Sequence, residues 1–272
     1  MLKTRVKTAA VLVVLALPIL WLSYIPFVIN GFAVAIALMA VFELYRGAGL
    51  LKKDPLVLVA LAGAVVIPQL RLEGYIDLLA LVFPLILLAF LMAMLRQDEM
   101  PVPGRIATFC LSMAVCLFFG AIPRLRRLPF GLLNLVMMVL VCVATDAAAY
   151  FVGRARGRHK LAPTVSPNKT IEGALGGTVT AILAAMLMCV LTEVFSDIRV
   201  NYAAVVLYAA VTSVVGQMGD LSMSLIKRRV GIKDFGTLLP GHGGILDRFD
   251  SQSFAAPFTL IFVESICPLF VR

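Results

Sequence analysis

The chain has 272 residues, of which 61% are hydrophobic and only 14% are charged, whereas soluble domains average about 45–50% apolar and about 25% charged residues. This composition excludes an ordinary soluble domain and predicts an all-α polytopic membrane protein. Lys and Arg outnumber Asp and Glu by 24 to 15, and because these cations are spread among short loops we expect them to face anionic lipid headgroups and not nucleic acid.

Nine apolar segments approach the length of about 20 residues that a helix needs to cross a bilayer. They lie at 9–29, 30–46, 55–70, 75–95, 106–122, 131–152, 173–195, 202–219 and 253–271. We interpret the first as a retained span, because it has no clear small-residue cleavage site and further spans follow it. The chain is therefore expected to form one helical bundle, with N-terminal spans in residues 1–130 and a C-terminal transmembrane region in residues 131–272 that carries two candidate catalytic loops.

The distribution of Lys and Arg predicts the orientation of these spans. With the N-terminus in the cytoplasm, most of the 24 Lys and Arg residues fall on cytoplasmic segments. The main objection is the PRLRRLP stretch at 123–129, which puts three of the six outside arginines in one short loop. The two long polar loops, at 153–172 and 220–252, are then both cytoplasmic.

The first of these loops follows a span that contains a carboxylate. Asp146 lies within the apolar segment 131–152, where a charge costs several kcal/mol unless it is paired or hydrated. It either fixes helix packing through a polar contact or lines a hydrated cavity below the loop. Both interpretations stay open from the sequence.

The SPNKT segment at 166–170 predicts an anion site at the start of the seventh helix. Ser166 suits the N-cap and Pro167 the first helical position, and N–H groups beside a lysine at a helix N-terminus attract phosphate. Ordinary capping together with the cytoplasmic excess of cations would produce the same pattern. The candidate catalytic or substrate-binding residues here are Ser166, Asn168, Lys169, Thr170 and Glu172.

The second loop carries cations and glycines in a pattern that is typical of phosphate binding. Arg binds a phosphate through a bidentate fork and Lys as a point charge, while glycines let the backbone approach a phosphate and adopt positive φ. His242 lies between two glycines, where either a structural or a catalytic role is compatible with the sequence. The candidate residues of this loop are Lys227, Arg228, Lys233, Asp234, Gly241, His242, Gly243, Gly244 and Arg248.

Acidic residues among so many cations predict a divalent metal ion. Asp220 ends the eighth predicted span, and Asp247 and Asp250 are spaced to face one side of a helical turn. Mg²⁺ prefers oxygen ligands, usually one or two carboxylates with waters and substrate phosphates. We therefore expect Mg²⁺ as the cofactor, and the alternative is a solvated loop with incidental acids. The candidate metal ligands are Asp146, Asp220, Asp247 and Asp250.

The full pattern S-x-I-K-R-x₄-K-D-x-G-x₂-L-P-x-H-G-G-x₂-D-R-x-D, from Ser224 to Asp250, resembles the signature of the phosphatidate cytidylyltransferase (CDP-diacylglycerol synthase) family. The upstream segments DAAAYFVGRARGR and SPNKTIEGALGG resemble a second block of that family. The first half of the chain resembles it only in hydropathy. The resemblance implies that CTP and phosphatidate react to give CDP-diacylglycerol and pyrophosphate, at a cytoplasmic face of a bacterial inner membrane.

The resemblance also implies roles for individual residues. It assigns metal binding to Asp220 and Asp247. Around the phosphates it puts Lys169, Lys227, Arg228, Lys233 and Arg248. Many family members carry Glu where this chain has Met223; either Asp250 or Asp146 compensates for that carboxylate, or it belongs to the outer shell. The expected partners are CTP, phosphatidate and the lipid bilayer, nucleic acid is not expected, and homodimer formation stays open.

Two other functions are compatible with this scaffold. A CTP-dependent enzyme acting on another membrane lipid phosphate or alcohol would keep both loops and change only the lipid pocket. An ion-coupled transporter would use the acids of the apolar segments, Asp77, Asp146 and Glu264. Transporters of that type often contain internal repeats, and this sequence has none that we detect.

Overall fold

Helices form most of the chain that the computed structural model describes, which comprises residues 18–70, 74–95, 104–238 and 243–271. The helices within these ranges are α1 (Pro26–Gly47), α2 (Leu56–Val66), α3 (Tyr75–Leu95), α4 (Arg105–Phe119), α5 (Ala121–Arg127), α6 (Gly131–Arg156), α7 (Ile171–Phe195), α8 (Tyr202–Arg229) and α9 (Asp250–Ile261). Two antiparallel strand pairs join β1 (Lys160–Ala162) to β2 (Ser166–Thr170) and β3 (Arg199–Val200) to β4 (Phe270–Val271).

Six described segments are long and apolar enough to cross a membrane: α1, most of α3, the continuous stretch of α4 and α5, α6, α7 and α8. The prediction of a mostly helical chain with several membrane-length helices is confirmed at this level. The apolar helix at Leu56–Gln69 is shorter. The predicted span 253–271 contains all but the first three residues of α9, followed by a π-helical turn at Phe262–Ile266. The predicted span 9–29 begins outside the described residues.

Helix α8 continues beyond the predicted end of the eighth span at 219. It runs to Arg229, so Asp220 lies inside the helix. The apolar run had suggested that Asp220 lies at the end of the helix. Residues after it, including Leu221, Met223 and Leu225, are buried in two hydrophobic clusters. Because tertiary packing of one face supplies most helical stability, this burial extends the helix past the apolar run.

One hydrophobic cluster joins the N-terminal helices to α9. Phe118 of α4 packs edge to face against Phe83 of α3 and Phe254 of α9, with ring centroids 5.4 Å apart in both pairs. Such aromatic pairs add about 0.5–1.5 kcal/mol each beyond the burial of their area. The same cluster contains Leu246, so the segment that precedes α9 is attached to the N-terminal helices.

Helices α6 and α7 approach each other closely through glycines of α7. A Cβ atom added at Gly173 would lie 2.7 Å from the Ala149 carbonyl oxygen, and one at Gly177 would lie 2.7 Å from the Thr145 carbonyl oxygen. Small residues allow the backbones of membrane helices to come this near. Thr145 Oγ1 also donates to Ser213 Oγ at 2.9 Å, which attaches α8 to the pair.

The SPNKT segment is a β-strand and not the first turn of a helix, which corrects the prediction for Ser166 and Pro167. It forms β2 and pairs with β1, and α7 begins only at Ile171. The N-cap is Thr170, whose Oγ1 accepts a hydrogen bond from Gly173 N–H at 3.1 Å. Ser166 precedes a proline, and a residue in that position favours extended backbone. Backbone groups of this segment form hydrogen bonds with β1. In the predicted helical turn these groups would have been free to bind a ligand.

Two arginines of the 123–129 stretch are bound within the protein. The Arg124 guanidinium lies 3.3 Å from the Tyr75 ring centroid. Arg124 also donates to the Gly120 carbonyl oxygen at 2.6 Å. Arg126 Nε donates to Ser23 Oγ at 2.7 Å. These two arginines therefore stabilise contacts within the protein, independently of any effect that their charge has on the orientation of the chain in the membrane.

Candidate active site

A polar pocket of about 390 Å³ lies where α6, β2, α8 and the start of α9 meet. Its polar and charged lining consists of Asp146, Tyr150, Asn168, Lys169, Thr170, Gln217, Asp220, Lys227, Asp234, Asp247, Arg248 and Asp250. All of these except Tyr150 and Gln217 are among the site residues predicted from the sequence. The fold therefore brings the two predicted catalytic loops into one pocket.

An ion pair joins the two loops across this pocket. Lys169 Nζ on β2 contacts Asp220 Oδ2 on α8, and the two side chains remain 27% and 25% exposed. The lysine is held beside an acid but stays accessible to a substrate. The positive charge that the SPNKT segment brings to the pocket is thus the Lys169 ammonium and not the N-terminus of a helix.

Carboxylates of α6 and α9 line the pocket near this ion pair. Ser251 Oγ donates to Asp146 Oδ2 at 3.4 Å, and Ser251 N–H donates to Asp250 Oδ1 at 2.8 Å. Burial, together with the negative charge of Asp220, raises the pKa of Asp250 well above its ordinary value. A carboxylate in this setting is stabilised in its charged form by a nearby cation.

The donor set of the pocket suits Mg²⁺ held jointly by protein and substrate. Asp146, Asp220 and Asp250 offer carboxylate oxygens, which are hard ligands that Mg²⁺ prefers. Among the residues that the structure describes, no group of three or more His, Cys, Asp or Glu side chains is placed to hold a metal ion together. One or two protein carboxylates with waters and substrate phosphates are the usual Mg²⁺ arrangement, so the residues fit an ion that binds together with a nucleotide.

Lys227 and Asp247 form a buried ion pair at the wall of the pocket. Lys227 Nζ donates to Asp247 Oδ1 at 2.8 Å. Asp247 Oδ2 accepts hydrogen bonds from Phe235 N–H at 2.8 Å and Gly244 N–H at 2.9 Å. These bonds hold Asp247 in a turn before α9, which begins at Asp250, so the two acids do not share a helical turn as predicted. Asp247 orders the loop between α8 and α9 and fixes the lysine.

Several predicted site residues lie outside the pocket lining. Arg228 Nε donates to the Val165 carbonyl oxygen at 3.3 Å and joins α8 to the β1–β2 hairpin. Glu172 accepts hydrogen bonds from Arg158 N–H and His159 N–H, which orders the first loop. Also outside the lining are Ser166, Lys233, Gly243 and Gly244. Gly241 and His242 lie outside the described residues.

Met223 occupies the position at which the resemblance led us to expect a carboxylate. Its side chain is fully buried in the largest hydrophobic cluster and does not line the pocket. In this chain that position belongs to the same hydrophobic cluster as Phe254. The acids of the pocket therefore come from α6, from α8 at Asp220 and from the segment that leads into α9.

Besides Tyr150, two polar residues of this region are not among those predicted from the sequence. Glu43 of α1 is 4% exposed and accepts hydrogen bonds from Ile245 N–H at 2.9 Å and Leu246 N–H at 2.8 Å. Gln217 lines the pocket and donates to Ser213 Oγ at 3.2 Å. The sequence could have indicated Glu43 in one way only: it is a single acid inside an apolar segment, where a carboxylate without hydrogen-bond partners would be costly.

Comparison with known proteins identifies the family. The cytidylyltransferase family profile matches residues 3–266. A protein of Bacillus subtilis (strain 168) named phosphatidate cytidylyltransferase is 33% identical over 268 residues, which cover 94% of this chain and 95% of that protein. Relatives of the same name from Staphylococcus epidermidis and Staphylococcus aureus (strain COL) are 43% identical over 151 residues and 38% identical over 160 residues.

The match to the staphylococcal relatives is partial, since the chain spans 56% of the length of the Staphylococcus epidermidis protein and 60% of the Staphylococcus aureus protein. The match to the Bacillus subtilis protein and the family profile both extend over nearly the whole chain. The resemblance drawn from the loop motifs is confirmed. The chain belongs to the cytidylyltransferase family.

Proposed function

We propose that this protein transfers a cytidylyl group from CTP to phosphatidate, giving CDP-diacylglycerol and pyrophosphate. The observation that carries the proposal is one pocket that combines cations and carboxylates within a bundle of membrane-length helices. The cations are Lys169, Lys227 and Arg248, and the carboxylates include Asp146, Asp220 and Asp250. This position suits a lipid phosphate whose acyl chains stay in the bilayer while a nucleotide enters from water. The names of the relatives support the same reaction.

The reaction needs alignment and charge neutralisation but no enzyme nucleophile. A phosphate oxygen of phosphatidate attacks the α-phosphorus of CTP, the bond from that phosphorus to the bridging oxygen breaks, and pyrophosphate leaves with the electron pair. Lys169, Lys227 and Arg248 neutralise the two anionic substrates and the charge that develops on the leaving group. Pre-oriented charges of this kind are usually the largest single contribution to catalysis, and holding the reactants in line adds to it.

Asp220 and Asp250 would hold Mg²⁺ in this reaction, with Asp146 and Asp247 as further carboxylates of the pocket. When bound, the ion supplies charge neutralisation and polarises phosphate oxygens as a Lewis acid. Ser251 keeps Asp146 and Asp250 together through its two hydrogen bonds. The acids are thereby oriented before the substrates bind.

We further propose that the chain crosses a bacterial inner membrane nine times and that the pocket faces the cytoplasm. The excess of Lys and Arg on the segments assigned to that side supports this orientation. Residues of both long loops also line one pocket, which is compatible with both loops lying on one side of the membrane. Homodimer formation stays a prediction, and cross-linking in native membranes tests it.

Purified protein in detergent, supplied with CTP, Mg²⁺ and phosphatidate, tests the proposed reaction. We expect pyrophosphate and a lipid that carries CMP to appear in equal amounts. Matched reactions with ATP in place of CTP test the nucleotide, and reactions with a polyprenyl phosphate or a polyprenol in place of phosphatidate test the lipid. Product from one of those lipids but none from phosphatidate would contradict the proposal and favour a CTP-dependent enzyme of another lipid.

A further inference from the structure

Glu43 connects helix α1 to the segment that precedes α9. Its carboxylate accepts the N–H groups of Ile245 and Leu246, at 2.9 and 2.8 Å, and its side chain is 4% exposed. The next residue in the chain is Asp247, which holds Lys227 at the wall of the pocket. A charged group of the N-terminal helices is therefore one residue away from the acid that fixes a pocket cation.

The same carboxylate accounts for two glycines of the loop. A Cβ atom added at Gly236 would lie 2.5 Å from Glu43 Oε1, and a Cβ atom added at Gly244 would overlap both carboxylate oxygens. A larger residue at either position would have to displace the Glu43 side chain. The loop backbone at these two glycines thus packs directly against the Glu43 carboxylate, which restricts the conformation of the loop.

A buried carboxylate is a costly way to attach a loop to a helix. Burial removes its hydration, and apolar residues of similar volume often stabilise a packed interface as well or better. What the Glu43 carboxylate adds is a pair of charge-assisted hydrogen bonds, which are shorter and more directional than neutral ones. These bonds fix the orientation of the Ile245 and Leu246 peptide groups immediately before Asp247.

We propose that Glu43 is a positioning residue for cytidylyl transfer. It holds the Ile245–Leu246 backbone so that Asp247 keeps Lys227 directed at the reacting phosphates. Glu43 does not line the pocket, so it acts through the loop and not on the substrate. This role rests on the proposed reaction, whereas the contact between Glu43 and the loop does not.

The variant Glu43→Gln tests this role, because it keeps the size of the side chain but turns an NH₂ group toward one of the two N–H donors. We expect kcat to fall about tenfold or more while KM for CTP stays within about twofold, with a nearly unchanged melting temperature in detergent. Hydrogen exchange on the intact protein should become faster at Ile245 and Leu246, which reports on the contact without any substrate.

Asp54→Asn is the matched control. Asp54 is also a buried acid of the N-terminal region, 3% exposed, but its Oδ1 accepts Leu56 N–H at the start of α2 and it does not line the pocket. We expect this variant to melt at a lower temperature and to keep its kcat where it is folded. In addition, Gly244→Ala should lower kcat in the wild-type protein but add little to Glu43→Ala, since the overlapping carboxylate is then absent.

A Glu43→Gln protein that exchanges faster at Ile245 and Leu246 but keeps the wild-type kcat would overturn the positioning role. A loss of kcat that only follows the loss of folded protein would overturn it as well. A wild-type protein that makes no CDP-diacylglycerol would overturn the proposed reaction and this role with it, and that outcome is seen before any variant is measured.

Discussion

The Lys227 ammonium and the Asp247 carboxylate lie 2.8 Å apart, and their side chains are only 10% and 2% exposed. Removing two charges from water is repaid only when the pair is close and its remaining hydrogen-bonding positions are filled. The N–H groups of Phe235 and Gly244 fill those positions on Asp247. One contact therefore supports the stability of the loop and also holds a cation of the pocket.

We expect Asp247→Asn to destabilise the protein by about 3–5 kcal/mol, because it leaves the Lys227 ammonium buried without a counter-charge. Thermal unfolding in detergent without added metal measures this effect. The variant should also lose cytidylyl transfer, since the lysine is no longer held toward the phosphates.

The double variant Lys227→Met, Asp247→Asn separates stability from catalysis, because the Asn side chain removes the charge and still offers an oxygen to the N–H groups of Phe235 and Gly244. We expect it to regain most of the melting temperature, because replacing both charges removes the unpaired buried ion, and to remain inactive, because the cation is gone. A metal-free Asp247→Asn protein that melts like the wild type would argue against the structural ion pair and in favour of Asp247 as a metal ligand.

Asp220→Asn and Asp250→Asn should each lower kcat/KM about 100-fold or more, since loss of a ligand to the phosphate-bound metal removes several kcal/mol of transition-state stabilisation. Chelation of divalent ions should abolish turnover by the wild-type protein, and added Mg²⁺ should restore it. Asp197→Asn is the matched control, because Asp197 is an exposed acid between α7 and β3. Normal turnover by a folded Asp220→Asn protein would refute the metal assignment of Asp220.

A cysteine at position 160 or 237 should react with a membrane-impermeant thiol reagent from the cytoplasmic side only. Lys160 and Thr237 are exposed and belong to the two different long loops, and Ser196→Cys, at the far end of α7, should react from the opposite side. The experiment uses intact cells and inverted vesicles, with the five native cysteines replaced. Labelling of positions 160 and 237 from opposite sides would refute the shared cytoplasmic face.

Gly177→Ala should destabilise the protein by about 1–3 kcal/mol, the usual cost of an extra carbon atom in a packed interface, because its Cβ would lie 2.7 Å from the Thr145 carbonyl oxygen. Activity should fall as well, since Asp146 is the neighbour of Thr145 on α6. Gly31→Ala is the control: a Cβ there meets no atom within 4 Å, so the change should be neutral or slightly stabilising through helix propensity. Equal melting temperatures for the two variants would contradict tight α6–α7 packing.

The helices were predictable because their signal is local. An apolar run of about 20 residues must satisfy its backbone internally to cross a membrane, and six of the predicted spans correspond to described helices of membrane length. The pocket was largely predictable for a related reason. Most of its cations and acids belong to two compact sequence motifs, and the residue types in these motifs suit phosphates and Mg²⁺. The motifs alone therefore predicted these residues as parts of a site.

Contacts between distant parts of the chain were not predictable in this way. The SPNKT segment carries good N-cap chemistry, and only its pairing with β1 makes it a strand. Glu43 lies 202 residues from Ile245, so no motif connects the two. Asp247 was predicted as a metal ligand from its neighbours in sequence, whereas its nearest cation is Lys227 on α8.

Helices α6 and α7 are expected to move as one body during turnover. Sliding one along the other would drive side chains into the Ala149 and Thr145 carbonyl groups, which lie against Gly173 and Gly177. Adjustment to an arriving nucleotide then falls to the turn that follows α8, where Gly231 has a φ of 73°. Because the rate of many enzymes is set by such loop motions and by product release, we expect the release of pyrophosphate to depend on this turn more than on helix α6, which carries Asp146, or on strand β2, which carries Lys169.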